Sequence, residues 1–184
     1  TGDGPHNGTP QTVSFIGTPN FGQDYRVVDL IAAGRHTCAL VEDNKAQPGD
    51  PVWCWGSSSN RAHGTGWFGG GENTQITPSK VLNQLGDEVR IGRLWSGAGA
   101  SCGTIGDDLL CWGLNSLLTD NNNGINAASF IGLQGVRDVA IGEKQICAVS
   151  GPGGVRCWGA QEDDQMLFGN GLAQDSSYPF AVPS

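Results

Sequence analysis

Short apolar stretches of strand length recur along the chain, and each is bounded by glycine, proline or polar residues. Runs rich in Val, Ile and Leu alternate with shorter pieces that contain proline or a few apolar residues. These stretches lie at residues 10–17, 25–33, 78–85, 89–96, 128–133 and 136–142. Strand-length stretches separated by glycine-rich turns predict an all-β fold made of many short strands.

A Cys-Trp-Gly triplet follows each of the Val/Ile/Leu-rich runs. It occupies residues 54–56, 111–113 and 157–159. The intervals of about 57 and 46 residues suit the blades of a β-propeller. We therefore interpret residues 1–184 as a single repeat domain. Its units are about residues 8–64, 65–120 and 121–168, followed by the start of a fourth at about 169–184.

Each unit has a second cysteine that can face the first across a β-hairpin. Opposed residues of an antiparallel pair have a constant index sum, so pairing Cys102 with Cys111 leaves a two-residue Gly-Asp turn at 106–107. The same arithmetic closes the other two hairpins and predicts the bridges Cys38–Cys54, Cys102–Cys111 and Cys147–Cys157. Six buried free thiols are the alternative. Lasting disulfides would place the protein outside the cell, at a cell surface or in a periplasm.

One tryptophan follows a cysteine in each triplet, at Trp55, Trp112 and Trp158. Side chains alternate along a strand, so each indole should lie on the face opposite the disulfide. Its repetition in every unit favours packing between neighbouring blades, with ligand contact as the alternative.

The first unit resembles the repeat of the regulator-of-chromosome-condensation (RCC1-like) family. The resemblance rests on Ile31-Ala-Ala-Gly-Arg-His-Thr-Cys-Ala-Leu40 and Val52-Trp-Cys-Trp-Gly56, and bacterial secreted members also carry a cysteine on each hairpin strand. It implies a β-propeller, usually of seven blades, that serves as a platform for binding proteins. One branch exchanges nucleotides on a small GTPase and another inhibits β-lactamases, but no residue set specific to either is matched here.

The sequence also departs from the family pattern. The second unit has no histidine at the position of His36, and the Asn-x-x-Gly-Gln-Leu-Gly that follows Trp-Gly in the family is degraded in all three units. Three units and a fragment are fewer than the four to eight blades of a closed propeller. We expect a partial β-propeller of three four-stranded blades plus the first strand of a fourth. Further copies or a longer chain would complete it.

Charge and hydropathy limit the possible partners. The formal net charge is −8, and the 10 Lys and Arg residues are scattered, which argues against nucleic acid or an anionic membrane as partner. No apolar run approaches the roughly 18 residues of a spanning helix, so we expect no membrane insertion. The chain begins at Thr1 without a visible signal peptide, and we interpret it as processed or excerpted.

Candidate chemistry is sparse, and we expect no catalytic residue, metal or cofactor. Ser101 lies in a Gly-x-Ser-x-Gly match, but on a predicted hairpin strand rather than at a strand-to-helix elbow. His36 occupies the family's His-Thr-Cys position, where the resemblance implies a ring that packs and hydrogen-bonds inside its blade. Residues 120–124, Asp-Asn-Asn-Asn-Gly, are the one candidate for calcium, and their glycine comes one residue early for an EF-hand loop.

A Gly-rich insertion at residues 61–72 is absent from the third unit and carries Arg61, His63, Trp67 and Phe68. Aromatic and arginine side chains on a non-repeated loop are typical of a contact site. The loop at 42–51 is a second candidate. We therefore expect a non-catalytic extracellular binding or adhesion module for a protein or glycan. The alternatives are a self-assembling structural component joined through blade edges, and a protein inhibitor or exchange factor.

Overall fold

The computed structural model describes residues 13, 25–56, 64, 75–113, 125–159 and 176–181. These residues form thirteen β-strands in three antiparallel sheets, and no membrane-spanning helix occurs among them. The strands are β1 Arg26–Ala33, β2 His36–Glu42, β3 Asp50–Gly56, β4 Gln75–Lys80, β5 Arg90–Ile91, β6 Leu94–Ser96, β7 Ala100–Ile105, β8 Asp108–Gly113, β9 Ile125–Gln134, β10 Val136–Ile141, β11 Gln145–Ser150, β12 Gly154–Gly159 and β13 Ser176–Ala181. The expected all-β, partial-propeller architecture is confirmed.

Each sheet follows the chain order, and we call the three sheets blades 1 to 3. Blade 1 has the order β1-β2-β3-β4, blade 2 β6-β7-β8-β9 and blade 3 β10-β11-β12-β13. The fourth strand of each blade is therefore the piece that follows a Cys-Trp-Gly hairpin. Blades and sequence units are offset by one strand as a result. The segment expected to begin a fourth unit contains β13, which pairs with β12 and completes blade 3.

The hairpin registers are those that the index sums give. Cys38 lies opposite Cys54, Cys102 opposite Cys111, and Cys147 opposite Cys157. All three pairs are disulfide-bonded, with Cα atoms 4.1 Å apart. Ile105 pairs with Asp108, which leaves the two-residue turn at 106–107, and Gly106 there has a φ of 57°. Only glycine adopts that left-handed conformation without a steric cost.

The tryptophan of one blade packs on the disulfide face of the blade before it. Trp112 of blade 2 is fully buried with Cys38, Leu40, Val52 and Cys54 of blade 1. Trp158 of blade 3 is likewise fully buried, with Cys102, Leu109 and Cys111 of blade 2. Truncating a buried tryptophan typically costs about 3–5 kcal/mol, so these two contacts are major terms in holding the blades together.

The strand before the second hairpin is divided, although the sequence predicts a continuous run over 89–96. Strand β5 pairs with β3 of blade 1, with Asp50 opposite Ile91, whereas β6 pairs with β7 of blade 2. The chain leaves one sheet and enters the next at Gly92 and Arg93, so the division marks the passage between blades.

Candidate functional site

A buried cluster of polar side chains joins blade 1 to blade 2. Nε2 of His36 lies 2.8 Å from Oγ of Ser96 and 3.0 Å from Oγ of Ser101, and the two hydroxyl oxygens are 2.7 Å apart. The hydrogen bonds therefore cross to the next blade, although the resemblance led us to expect them inside the blade of His36. His36 is 5% exposed and Ser101 is completely buried.

The distance between His36 and Ser101 would suit a nucleophile and its base, but their surroundings do not. Ser101 lies in the middle of the β7–β8 ladder, opposite Trp112, and not on a strand-to-helix elbow. Its hydroxyl also lies 3.6 Å from the disulfide sulfur of Cys38. A substrate has no access to a fully buried hydroxyl, so the cluster acts as a hydrogen-bonded link between blades.

A second polar link fastens the loop between β2 and β3. Both terminal nitrogens of the Arg90 guanidinium donate to the Asp43 carboxylate, at 2.9 and 2.7 Å, and one also donates to the carbonyl of Gly49 at 2.9 Å. The Asp43 side chain is 2% exposed. Hydrogen bonds from Arg90 hold the pKa of Asp43 well below its usual range. Residues 44–48 of this loop remain exposed, and both of its ends are fixed.

The first strands of the blades, β1, β6 and β10, lie beside one another and line a cavity of about 510 Å³. We call the lining of this cavity the axial surface, because the first strands of successive blades adjoin there, as strands around the central channel of a propeller do. Its residues are Val28, Asp29, Leu40, Asp50, Gly92, Arg93, Leu94, Trp95, Arg137 and Asp138. Most of the charged groups in this set come from the first strands.

Three charged residues of the axial surface occupy the same structural position in successive blades. Ile31, Trp95 and Ala140 pair with the first cysteine of each hairpin, and the residues two places earlier are Asp29, Arg93 and Asp138. The residues before those are Val28, Gly92 and Arg137. In β1 and β10 that position is a β-bulge, and in blade 2 it lies at the break between β5 and β6. A β-bulge changes the direction in which a side chain points, and here it turns Val28 and Arg137 toward the cavity.

Hydrogen bonds to the backbone and between side chains hold the axial surface in place. Trp95 donates from Nε1 to Oδ1 of Asp138 at 3.1 Å, and Arg93 donates to the carbonyl of Arg137 at 2.7 Å. Asp29 accepts from the backbone N–H of Leu30 at 2.8 Å. Burial raises the pKa of Asp50 at the edge of the cavity. The surface thus presents carboxylates, guanidinium groups and the exposed side chain of Val28 in a fixed arrangement.

Several candidates from the sequence cannot be placed on this site. Arg61, His63, Trp67, Phe68 and residues 120–124 lie outside the described residues. Among the residues that the structure does describe, no cluster of three or more His, Cys, Asp or Glu side chains could hold a metal ion. The axial surface was not predicted from the sequence. Its charged residues lie two positions before the residue that pairs with the first cysteine of each hairpin, and that spacing would have located them.

The fold of the chain is similar to that of several solved structures. No protein-family model matches the sequence, and no curated protein matches it significantly. Prp20p from Saccharomyces cerevisiae, whose structure was described with its binding to Gsp1p and histones, superposes with a TM-score of 0.68 at 18% identity. That match covers 86% of this chain and 38% of Prp20p. The fold is an RCC1-like β-propeller.

Two further structures have the same propeller architecture. Human WBSCR16 matches with a TM-score of 0.60 at 21% identity, over 86% of this chain and 38% of its own. Yeast RCC1 (Prp20) bound to Kap60 matches with a TM-score of 0.62 at 19% identity, over 89% of this chain and 36% of its own. The chain therefore spans little more than a third of these RCC1-like propellers.

Proposed function

We propose that this RCC1-like chain is a non-catalytic, protein-binding part of a β-propeller, and that its axial surface makes the contact. The observation that carries the proposal is the pattern of Asp29, Arg93 and Asp138. One structural position, repeated in three blades, carries two aspartates and an arginine around one cavity. The repeated positions of the hairpins, by contrast, are used in disulfides and in packing between blades.

The chemistry of the axial surface suits a protein better than a glycan. Val28 of β1 is 44% exposed, next to the carboxylate of Asp29 in the lining of the cavity. Apolar and charged groups of both signs within one concave surface match the mixed side chains of a protein segment. A carbohydrate would favour an open aromatic face. The one aromatic residue in the lining, Trp95, is tied to Asp138 through its indole N–H.

The structural neighbours support the same class of function. Prp20p was described with its binding to Gsp1p and histones, and yeast RCC1 (Prp20) was determined bound to Kap60. We extend to this chain only the class of partner, a protein. The loop at 43–49 is a second contact on the same part of blade 1. Its two ends are fixed, and its residues 44–48 are exposed. A loop that is already ordered loses little entropy on binding.

An oxidising compartment is part of the proposal. Three disulfides in 184 residues support an extracellular, cell-surface or periplasmic location, because reducing compartments do not maintain such bonds. Intact mass of protein isolated from its source without reductant tests this directly. We expect a mass about six hydrogens below that of the reduced chain. Six alkylatable thiols would contradict the location.

The binding site can be tested by photo-cross-linking. A benzophenone amino acid at position 28 faces the cavity, and the same group at position 130 provides a control because Phe130 is 63% exposed on β9, the fourth strand of blade 2, and does not line the cavity. With extracellular proteins of the source organism, we expect discrete adducts from position 28 alone. Adding Arg93→Glu should reduce those adducts, whereas Arg35→Glu, on an exposed turn, should not. Equal adduct patterns from both positions would contradict a site at the axis.

A further inference from the structure

A second cavity, of about 600 Å³, lies between blades 2 and 3 at the end where their hairpins turn. None of its lining residues lines the axial cavity. Side chains from both blades form its walls: Asp108, Leu133 and Gln134 from blade 2, and Ser150, Pro152 and Arg156 from blade 3. The second junction between blades is therefore packed at one end and open at the other.

Arg156 occupies in blade 3 the position that Leu110 occupies in blade 2. Each precedes the second cysteine of its hairpin and pairs with the residue that follows the first cysteine, Ala148 for Arg156 and Gly103 for Leu110. Leu110 is 2% exposed and belongs to the apolar cluster of the first junction. At the second junction, the equivalent position therefore holds a charged side chain at the wall of a cavity instead of an apolar contact.

The guanidinium of Arg156 is partly buried and has no acceptor among the residues that the structure describes. Arg90, Arg93 and Arg137, by contrast, each donate to a carboxylate or to a backbone carbonyl. A guanidinium stays charged, so burying part of it without an acceptor costs free energy. The unused donors of Arg156 therefore indicate an acceptor that comes from outside the chain.

Two further groups of the cavity have unused hydrogen-bonding capacity. Ser150 is 7% exposed, and its hydroxyl has no partner within the described part of the chain. It lies two residues after Ala148, on the face of blade 3 that packs on blade 2. Asp108 accepts at Oδ1 from Nε2 of Gln134, at 2.9 Å, and no described residue donates to its other oxygen. Buried polar groups almost always have partners, so we expect a partner of the Ser150 hydroxyl inside the cavity.

Hydrogen bonds hold the turn that forms one wall of the cavity. The N–H of Gly151 donates to the carbonyl of Gly135 at 3.1 Å, and the N–H of Gly135 donates to the carbonyl of Asp107 at 2.9 Å. The guanidinium of Arg137 donates to the carbonyl of Gly151. The turns of the two blades are thus tied to each other, and a ligand would lose little free energy in ordering this wall.

We propose that this cavity binds a carboxylate group of a peptide, with Arg156 and Ser150 donating to it and Asp108 accepting from a neighbouring N–H of the peptide. A planar guanidinium matches the geometry of a carboxylate. A phosphate, with about two negative charges, fits less well because it would meet one guanidinium and the carboxylate of Asp108. Leu133 and Pro152 provide apolar walls for the carbon atoms of the ligand. This inference does not depend on the axial contact proposed above.

An NMR titration of the full chain without reductant tests the binding through the Nε–Hε resonance of Arg156. The probes are acetyl-Gly-Gly, which has a free C-terminal carboxylate, acetyl-Gly-Glu-Gly-amide, and the neutral acetyl-Gly-Gln-Gly-amide. We expect a saturable shift with at least one of the first two, at a dissociation constant of about 1 mM, and none with the third. The probe that binds shows whether the cavity takes a C-terminus or a side chain. No saturable shift with either carboxylate, equal binding of the neutral peptide, or tighter binding of inorganic phosphate would overturn the proposal.

Three variants locate the binding. Arg156→Leu installs the residue of the equivalent position in blade 2, so it should fold, and it should raise the dissociation constant at least roughly 10-fold. Ser150→Ala should raise it about 5-fold. Arg35→Leu is the matched control, because it removes the same charge from an exposed turn and should leave the dissociation constant unchanged. Thermal unfolding checks that all three fold. An unchanged dissociation constant in both Arg156→Leu and Ser150→Ala, or an equal rise in Arg35→Leu, would show that the peptide does not bind in this cavity.

Discussion

The two junctions between blades use the same geometry with opposite chemistry. At the junction of blades 1 and 2, three equivalent positions are His36, Ser96 and Ser101, which hydrogen-bond to one another. At the junction of blades 2 and 3, the same positions are Ala100, Ile141 and Ile146, which pack in one apolar cluster. The backbone registers that define these positions are the same in both.

The segments that connect the blades also differ, because charged side chains fasten the first and a backbone hydrogen bond fastens the second. Between blades 1 and 2 the chain makes a long passage that Arg90 fastens to Asp43 through a buried, bidentate ion pair. Between blades 2 and 3 it passes directly from β9 to β10 through Gly135, whose N–H donates to the carbonyl of Asp107 at 2.9 Å. A repeated fold therefore does not require repeated junction chemistry.

The largest effect should follow from breaking the ion pair of the first junction. Asp43→Ala leaves the Arg90 guanidinium, whose side chain is 10% exposed, without its main acceptor. Removing one partner of a buried pair costs about 3–5 kcal/mol, and we expect a loss of that size in denaturant unfolding. Arg26→Ala is the control, because the pair of Arg26 with Glu42 is exposed and should contribute at most about 0.5 kcal/mol. Equal losses in the two variants would mean that Asp43 is not effectively buried.

A smaller but substantial loss should follow from placing the polar chemistry of the first junction in the second. Ile146→Ser puts the side chain of Ser101 at the equivalent position, where Ala100 stands in place of His36. The change removes a fully buried aliphatic group and buries a hydroxyl without the histidine partner, at a cost of about 3 kcal/mol. Thermal unfolding measures it. A loss below that of Ile146→Val would show that the site readily accepts a hydroxyl.

The scaffold of this protein could be predicted from the sequence because its rules are local. The index sums of Cys102 and Cys111 determine a hairpin register regardless of the rest of the chain. The indole positions follow from strand alternation. The passage between blades at Gly92 could not be predicted, because it depends on β5 pairing with the distant residues Asp50 and Pro51 rather than with its neighbours in sequence.

The polar contacts at the first junction and the grouping of charges at the cavity could not be predicted from the sequence for a related reason. His36 and Ser101 are 65 residues apart, and only the packing of one blade on the next brings Nε2 of His36 to the hydroxyl of Ser101. The resemblance indicated a hydrogen-bonded His36, and the structure places the two partners of its Nε2 in the next blade. Likewise, Asp29, Arg93 and Asp138 look like isolated surface charges until the bulges and the three first strands bring them to one cavity.

Replacing the whole polar cluster should cost less than removing its central member. His36→Leu removes the shared partner of the Ser96 and Ser101 hydroxyls, which keep their bond to each other and the weaker contacts to the Ala100 carbonyl and the Cys38 sulfur, and we expect a loss of about 2 kcal/mol. In the triple variant His36→Leu, Ser96→Ala, Ser101→Ala, every member is apolar and similar in shape, as at the second junction. Urea unfolding should show that the triple variant recovers at least half of that loss. A triple variant less stable than the single one would mean that the hydrogen bonds themselves stabilise the junction.

The smallest expected effect is a pH dependence confined to the first junction. The pKa of Asp43 is lower in the folded protein than its ordinary value of about 3.9, because Arg90 donates to its charged form. Its stabilisation is therefore fully present above about pH 4 and declines as the pH falls below that value toward the folded pKa. Burial raises the pKa of Asp50, which acts in the opposite direction, so the contribution of Asp43 is best measured as a difference between wild type and Asp43→Asn. Unfolding free energies from pH 6 to pH 3 should converge in the two proteins as the pH falls. Parallel profiles would show that the ion pair does not titrate with folding, and the contrast between the junctions would then rest on the His36 cluster alone.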